Sequence, residues 1–384
     1  MNVLMLLSNA FTHDPRVYAE ARSLLNVGYK VTVLARDRER EHPARSVLDG
    51  INIERVRPPR PLGRGNRLVR PFTLVWNGLN LLLSQWQMCR HGLRLHRRER
   101  FSVIHCHDLD TLLAGVALKR KTKLPLIYDA HEIYGYMVAR HLPSWIASCF
   151  LWLEKRLLRK VDRIINVCEP QRKYFATITG KPVTIVMNCK PLQGLEYRPP
   201  HNEDFTLLYI GVLHRGRAVP MLVRAAGELP GVRCLIGGAG QPAYVEALTE
   251  ECSGTPGVTF LGRVPSDEVI AMTSRADCVF MMVSPEDLNN RIGLGNKQFE
   301  AMVCGRPIIC TRGTYSGDLT EQEEVGLTAE YNQESLQRAI ATLRDDPQLR
   351  ERLGRNALHA ALTRYNWDNE EQKLLQIYKG LNSL

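Results

Sequence analysis

Short apolar runs alternate along the whole chain with longer segments whose apolar residues recur at helical spacing. Val3–Leu7 reads as a buried strand, and Pro15–Val27 as a helix with Val17, Ala21, Leu24 and Leu25 on its apolar face. Asp14 is placed to cap that helix, Pro15 suits its first position, and Gly28 closes it before a second strand, Tyr29–Ala35. This is a βαβ unit with a ligand-capable loop after its first strand, although it lacks the G-x-G-x-x-G of a dinucleotide site. Further strands are expected at Ile51–Arg57, Ser102–Cys106, Leu124–Tyr128, Asp162–Val167 and Thr184–Val186, with helices at Leu68–Arg98 and Trp145–Arg163. The second half repeats the alternation. Its strands are Thr206–Ile210, Val232–Ile236, Val258–Leu261, Cys278–Val283 and Pro307–Thr311, with helices at Pro220–Leu229, Pro265–Ala276 and Asp368–Leu381. Alternating elements with short connections predict an α/β protein of two doubly wound parallel sheets. A chain of 384 residues suits two such domains, with Cys189–Pro200 as the linker.

The most informative stretch is Asn289–Thr311, NNRIGLGNKQFEAMVCGRPIICT. Gly293 and Gly295 loosen the backbone before a helix that Asn296 is placed to cap, and Phe299, Met302 and Val303 form its apolar face. Gly305 ends the helix and Pro307 prevents its continuation. Free N–H groups and the macrodipole make such a helix start attractive to phosphate. Lys297 places a cation in the first turn, where a helix by itself favours an acid, and that conflict points to an anionic ligand. Glu300 shares a face with Asn296, about 6 Å along the axis, where its carboxylate can accept from ribose hydroxyls. Taken as residue types alone, Lys297 and Glu300 are equally consistent with a solvated helix face.

NKQFEAMVCGRPII resembles the nucleotide-sugar signature of the retaining family 4 glycosyltransferases of GT-B fold, and more narrowly a bacterial branch reading N-K-x-F-E-x-M-x-x-G-x-P. The resemblance implies two Rossmann-like domains facing across a cleft and transfer with retention of anomeric configuration. It implies no divalent metal and no cofactor beyond the nucleoside-diphosphate sugar donor. In that family a Glu-x7-Glu motif holds the donor; Glu300 matches the second Glu, which binds ribose, and Ile292 stands where the first would fall. Gly211 matches the start of a G-x-L loop, and Arg217 matches the cation on the diphosphate, with Arg215 able to deputise and Ala218 in place of a Gly. Gly237–Gly240, with Gly238 inside it, is similar to a G-x-G-P turn, and the main chain at Arg263 and Val264 would read the base.

In the first half, D-P-R-V (Asp14–Val17) is similar to the family's opening of the first helix, which turns Arg16 toward substrate; residue type alone makes it a surface arginine. D-x-H-E (Asp129–Glu132) matches the active-site loop, making His131 the catalytic candidate beside Arg217 and Lys297. Without the resemblance, His131 reads as a structural histidine at the carboxyl end of a strand. The donor would be held by Gly211, Arg215, Arg217, Gly238, Arg263, Val264, Gly295, Asn296, Lys297 and Glu300, and the acceptor would lie near Asp14, Arg16 and His131. The last helix of this fold crosses back to the first domain. The expected domains are therefore an acceptor domain, 1–190 with 367–384, and a nucleotide-sugar domain, 200–366.

Charge sharpens the division. Residues 1–190 hold 32 Lys and Arg against 15 Asp and Glu, a net +17; the rest carry −6, to give +11 overall. The basic half calls for an anionic partner such as a membrane surface, a glycan or a lipid diphosphate. Leu68–Arg98 joins Leu74, Val75, Trp76, Leu79, Leu81, Leu82, Leu83 and Trp86 to Arg90, Arg94, Arg97 and Arg98. That composition suits the headgroup zone of an anionic membrane, or else a core-packed helix with a basic end. No aromatic-basic RNA motif or DNA-binding module is present, so nucleic acid is not an expected partner.

Two patterns imitate metal sites. His105 and His107 share a strand face while Cys106 points away, and Asp108-x-Asp110 sits where Asp caps a helix, so neither predicts a metal. The ten Cys show no C-x2-C pair and mostly lie in apolar runs, as buried hydrophobes of a reducing compartment do. Met1 precedes VLMLL without a basic flank, and no apolar run is long enough to span a bilayer. The expectation is a cytoplasmic protein, peripheral on the inner face of the membrane. A UDP-sugar-dependent transferase acting on a glycan, lipid-linked or small-molecule acceptor is the leading reading. An epimerase or hydrolase on the same fold, or a binding protein without catalysis, are the alternatives.

Overall fold

The computed structural model describes residues 1–12, 14–59, 70–139 and 143–381, with backbone alone for 70–75. Most of the Pro58–Gly65 loop and the side chains of Leu74 and Val75 lie outside the described residues. The chain divides into two units: Met1–Val186 with Glu371–Leu384, and Met187–Glu370.

Unit 1 is built on an eight-stranded sheet ordered β3-β4-β2-β1-β5-β6-β7-β8. Its strands are β1 (Asn2–Leu7), β2 (Lys30–Arg36), β3 (Arg45–Leu48), β4 (Ile51–Val56), β5 (Val103–His107), β6 (Leu126–Ala130), β7 (Arg163–Asn166) and β8 (Val183–Ile185). All pair in parallel except β3, which runs antiparallel to β4 at the edge. The helices are α1 (Pro15–Asn26), α2 (Arg70–Glu99), α3 (Leu109–Thr122), α4 (Tyr134–Ala139), α5 (Ser144–Leu158) and α6 (Glu169–Ile178). Central strands are buried on both faces, so β5 is wholly buried although it reads VIHCH. Its Cys106 packs under α3 where Gly115 leaves room: a Cβ there would lie 2.1 Å from the sulfur. Strand β3, RSVL and largely exposed, has no apolar alternation and was not foreseen.

Unit 2 carries a six-stranded parallel sheet ordered β11-β10-β9-β12-β13-β14. The strands are β9 (Phe205–Leu213), β10 (Val232–Gly240), β11 (Val258–Phe260), β12 (Cys278–Met281), β13 (Ile308–Thr311) and β14 (Gly326–Ala329). Helices α7 (Val219–Gly227), α8 (Pro242–Ser253), α9 (Val269–Arg275), α10 (Leu288–Ile292), α11 (Asn296–Val303), α12 (Tyr315–Gln322), α13 (Gln333–Asp345) and α14 (Pro347–Thr363) surround it. One face of the sheet packs Leu207, Tyr209, Leu222 and Phe280; the other packs Val279, Met281, Phe299 and Ile308. Gly305 ends α11 at φ +62°, and α14 passes so close that a Cβ on Gly354 would lie 2.6 Å from the Gly305 carbonyl oxygen. Helix α15 (Trp367–Lys379) closes the chain and buries Leu374, Ile377 and Tyr378.

Three local expectations are corrected. The glycine run Gly237–Gly240 is not a turn: β9 and β10 stay paired through Gly238↔Gly211 to Gly240↔Leu213. Gly238 sits at φ +148°, and a Cβ on it would lie 1.8 Å from the Gly211 carbonyl oxygen, so the ladder continues only because residue 238 is glycine. The helix expected from Pro265 begins at Val269, because Pro265–Glu268 close a turn, with the Glu268 N–H donating to the Pro265 carbonyl at 3.2 Å. Asn296 is the first helical residue of α11, not its cap; Gly295 holds the cap position without a side-chain bond.

Candidate functional site

In unit 2 the end of β9, a single 3₁₀ turn (Arg215–Arg217) and the start of α11 bring Gly211, Arg217 and Lys297 together. The Lys297 ammonium lies 4.6 Å from the centroid of the Tyr209 ring. It fits because position 211 is glycine: a Cβ there would be 2.5 Å from Nζ. Burial first, and then the charge of Arg217, pull the Lys297 pKa down to about 8, with Glu300 opposing. Arg217 Nε faces His214 Nε2 at 3.1 Å, while the Gly216 N–H faces His214 Nδ1 at 3.1 Å. A neutral imidazole accepts at one nitrogen only, so one of these contacts at most is a hydrogen bond at a time. Two cations thus adjoin a helix start whose first turn contains no acid. That electrostatic arrangement attracts an anion.

Glu300, one turn along, pairs with Lys190 at 3.2 Å. Opposite the glycines, the Gly238 N–H donates to the Gly262 carbonyl at 2.8 Å, and a Cβ on Gly237 would lie 2.6 Å from a Val264 methyl. The Gly262-Arg263-Val264 segment therefore lies against the glycine end of β10, with the Arg263 and Arg215 side chains exposed. Ile292 ends α10 and is half-buried. Sequence reasoning missed Lys190, His214 and Tyr209. The first lies in what reads as linker, and the other two look like ordinary strand-end residues.

In unit 1 a buried network centres on Asp129, at the carboxyl end of β6. One of its oxygens accepts from Arg16; the other accepts from His107 Nδ1 at 3.1 Å and His131 Nε2 at 3.2 Å. Arg16 Nε also donates to Glu20 at 3.0 Å. Burial works to raise the Asp129 pKa, yet Arg16 and His131 hold it well below the carboxylate range. Glu20 is pushed up by burial and by the Asp129 charge, so Asp129 is the carboxylate that carries the charge beside Arg16. The His131 N–H donates to Asp108 at 3.1 Å. Burial lowers the His131 pKa, but Asp108 and Asp129 outweigh it and the charge of Arg16, and carry it to about 9. On the far side, His105 stacks on His107 with centroids 4.4 Å apart and bonds Tyr378 of α15 at 2.7 Å.

This network corrects two readings. Arg16 is not a surface residue; its guanidinium is buried between carboxylates. Asp108 occupies the N-cap of α3 but makes no side-chain cap bond, because its carboxylate turns to His131. Asp14 does cap α1, accepting from the Val17 N–H at 3.2 Å. Glu20 and Asp129 also join His105 and His107 in a set of donor atoms lying within 4.8 Å of one another, compact enough to hold a metal ion. Arg16 takes an oxygen of each carboxylate, and Tyr378 takes Nδ1 of His105. A divalent ion there would be repelled by the fixed guanidinium, so the set suits an arginine-centred ion network better than a metal.

Two parallel-sheet units of this kind define the GT-B architecture. Residues 13–189 match the family profile described as glycosyl transferase 4-like domain, and residues 196–360 match that of the glycosyl transferases group 1. The chain is a glycosyltransferase of GT-B fold. It is similar to an uncharacterized glycosyltransferase of Methanocaldococcus jannaschii, 22% identical over 381 residues, covering 94% of this chain and 92% of that protein. Among solved structures it resembles sucrose-phosphate synthase of Thermosynechococcus elongatus, at TM-score 0.78 and 18% identity over the whole of both chains. It also resembles Anabaena HepE in complex with UDP-glucose, at TM-score 0.72 and 16% identity, covering 99% of this chain and 100% of that one.

Proposed function

We propose that this protein is a retaining, metal-independent transferase of the family 4 type that uses a UDP-sugar, held in unit 2, to glycosylate a glycan, lipid-linked or small-molecule acceptor held by unit 1. The observation that carries the reading is the pairing of Lys297 and Arg217, without an acid in the first turn, at the start of α11. A departing nucleoside diphosphate builds negative charge there, which the two cations and the helix start after Gly295 stabilise. Glu300 accepts from the ribose hydroxyls, Gly211 and Gly238 let the backbone approach the donor, and the main chain at Arg263 and Val264 meets the base. Arg215 and Asn296 flank the diphosphate. In unit 1, His131 contacts the transferred sugar or orients the acceptor hydroxyl, with Asp14 and Arg16 supporting that region. The UDP-glucose bound by HepE supports uridine as the base. The N-K-x-F-E sequence from Asn296 to Glu300 supports the narrower family assignment. The half-buried Ile292, in place of an acid, favours a second reading in which bound donor is epimerised or hydrolysed; release of free sugar without acceptor would select it.

Calorimetric titration with nucleoside diphosphates tests the donor site. Glu300→Ala should weaken UDP binding by about 1.5–3 kcal/mol, the scale of hydrogen bonds to a charged group. Unchanged affinity in a folded variant would remove Glu300 from the site.

We place the protein on the inner face of the cytoplasmic membrane through α2. The exposed positions Trp76, Leu79, Leu82, Leu83 and Trp86 give way along this helix to exposed Arg90, Arg94, Arg97 and Arg98. Among the described residues no helix is long and apolar enough to cross a membrane. Each surface cation contributes about 1 kcal/mol on an anionic bilayer, so binding should weaken with salt. Changing Arg90, Arg94, Arg97 and Arg98 to Gln should release the protein from anionic vesicles in co-sedimentation while UDP binding survives. Wild-type protein left in the supernatant at low salt would refute the membrane role.

A further inference from the structure

Between the end of β4 and the middle of α2 lies a cavity of about 280 Å³, lined by Arg55, Arg57, Trp86, Arg90, His91 and Arg94. The acids near it are committed. Glu54 pairs with Arg45 at 2.8 Å and with His91 at 3.1 Å. Asp37 lies 3.8 Å from Arg57, but its carboxylate also accepts the backbone N–H groups of Arg40, Glu41 and His42. Arg55 is fixed in place by the carbonyls of Ala10 and Pro43 and the hydroxyl of Ser46, contacts that anchor its guanidinium without neutralising it. The Arg90 guanidinium lies 5.2 Å from the centroid of the Trp86 ring. Four arginines converge on one concavity, and among the described residues none that line it is acidic.

We propose that this cavity binds a phosphoryl group. Guanidinium forks match the tetrahedral oxygens of phosphate in a bidentate fashion, and a ring-stacked arginine is held ready for the contact. The cavity sits on the outward stripe of α2 where exposed Leu79, Leu83 and Trp86 give way to Arg90, Arg94 and Arg97. The phosphoryl group comes from an anionic phospholipid headgroup at that boundary or from a soluble phosphate monoester. The lipid source rests on the membrane reading of α2; the cavity does not.

Two double variants of equal charge separate these ideas. Arg90→Gln with Arg94→Gln strips the cavity, while Arg97→Gln with Arg98→Gln removes the same charge from the same helix outside it. Each is titrated with sn-glycerol 3-phosphate, with UDP in excess to fill unit 2, and sedimented with vesicles of phosphatidylcholine alone or mixed with phosphatidylglycerol. Circular dichroism and UDP affinity report that both variants fold. The cavity pair should bind at least about tenfold more weakly than the control pair, the scale of lost charge-assisted hydrogen bonds. That difference with glycerol phosphate establishes the cavity with a soluble source. The same difference on mixed vesicles alone establishes it with a headgroup. Equal losses on vesicles, with no glycerol phosphate binding, leave a diffusely charged membrane helix and overturn the cavity. Binding to neither probe overturns the cavity and the membrane reading together.

Discussion

Lys297→Ala and Arg217→Ala should each slow sugar transfer by about a hundredfold, the cost of removing one preorganised donor from a charge that develops in the transition state. Loss of Lys297 should act on kcat more than on donor binding, because its ammonium waits beside Arg217 without an ion-paired carboxylate among the described residues. Burial first, and then repulsion from Arg217, bring the Lys297 pKa down to about 8. A nucleoside diphosphate relieves that repulsion, and the bond-breaking step relieves it further as charge accumulates on the leaving oxygen. Steady-state kinetics on the two single variants and the double variant measure this. A double variant no worse than either single one indicates that the pair acts as a unit. Adding a chelator should leave the wild-type rate unchanged; a rate lost with chelator and restored by a divalent ion would overturn the metal-independent mechanism. Two folded variants that keep full turnover would remove Lys297 and Arg217 from the reaction.

His131→Ala should cost about a hundredfold or more in turnover, the usual contribution of a positioned proton donor or acceptor. The pH dependence is specific. With its pKa raised to about 9, His131 is an imidazolium at neutral pH and loses its proton as pH rises through about 9. Its contribution to stability is whole below the ordinary value of about 6.5 and is lost as pH rises through about 9, on the order of 3 kcal/mol in all. The alkaline limb of the rate profile should fall in the same window. Asp129→Asn removes one of the two carboxylates that hold the proton, so the limb should move toward neutral pH. That variant also strips Arg16 of its charged partner and should unfold more easily, which makes proton NMR titration of His131 the cleaner readout. A wild-type imidazole that titrates near 6.5 would contradict the scheme.

Much of the fold was legible because glycine and proline punctuate it. The βαβ opening and the stretch from Gly293 to Thr311 are bounded by residues whose backbone preferences leave few alternatives. What stayed hidden depends on pairing between distant segments. The glycines at the end of β10 look like a turn until β9 pairs with them. Lys190 reads as linker until Glu300 folds against it. Arg16 and Asp108 were assigned from their immediate neighbours, but the tertiary charge network around Asp129 and His131 sets where both side chains go.

That network has one member from the far end of the chain. Tyr378, fully buried on α15, bonds His105 across 273 residues of sequence, and Leu374 and Ile377 are buried beside it on the same helix. A ribosome synthesises unit 2 in full before it reaches these side chains. The first half of the protein therefore waits, during its own biosynthesis, with the His105 side of its core uncovered, and the second half can mature first. A translational stop anywhere between Glu370 and Leu374 would leave a finished unit 2 tethered to a first unit that lacks the buried side chains of its last helix.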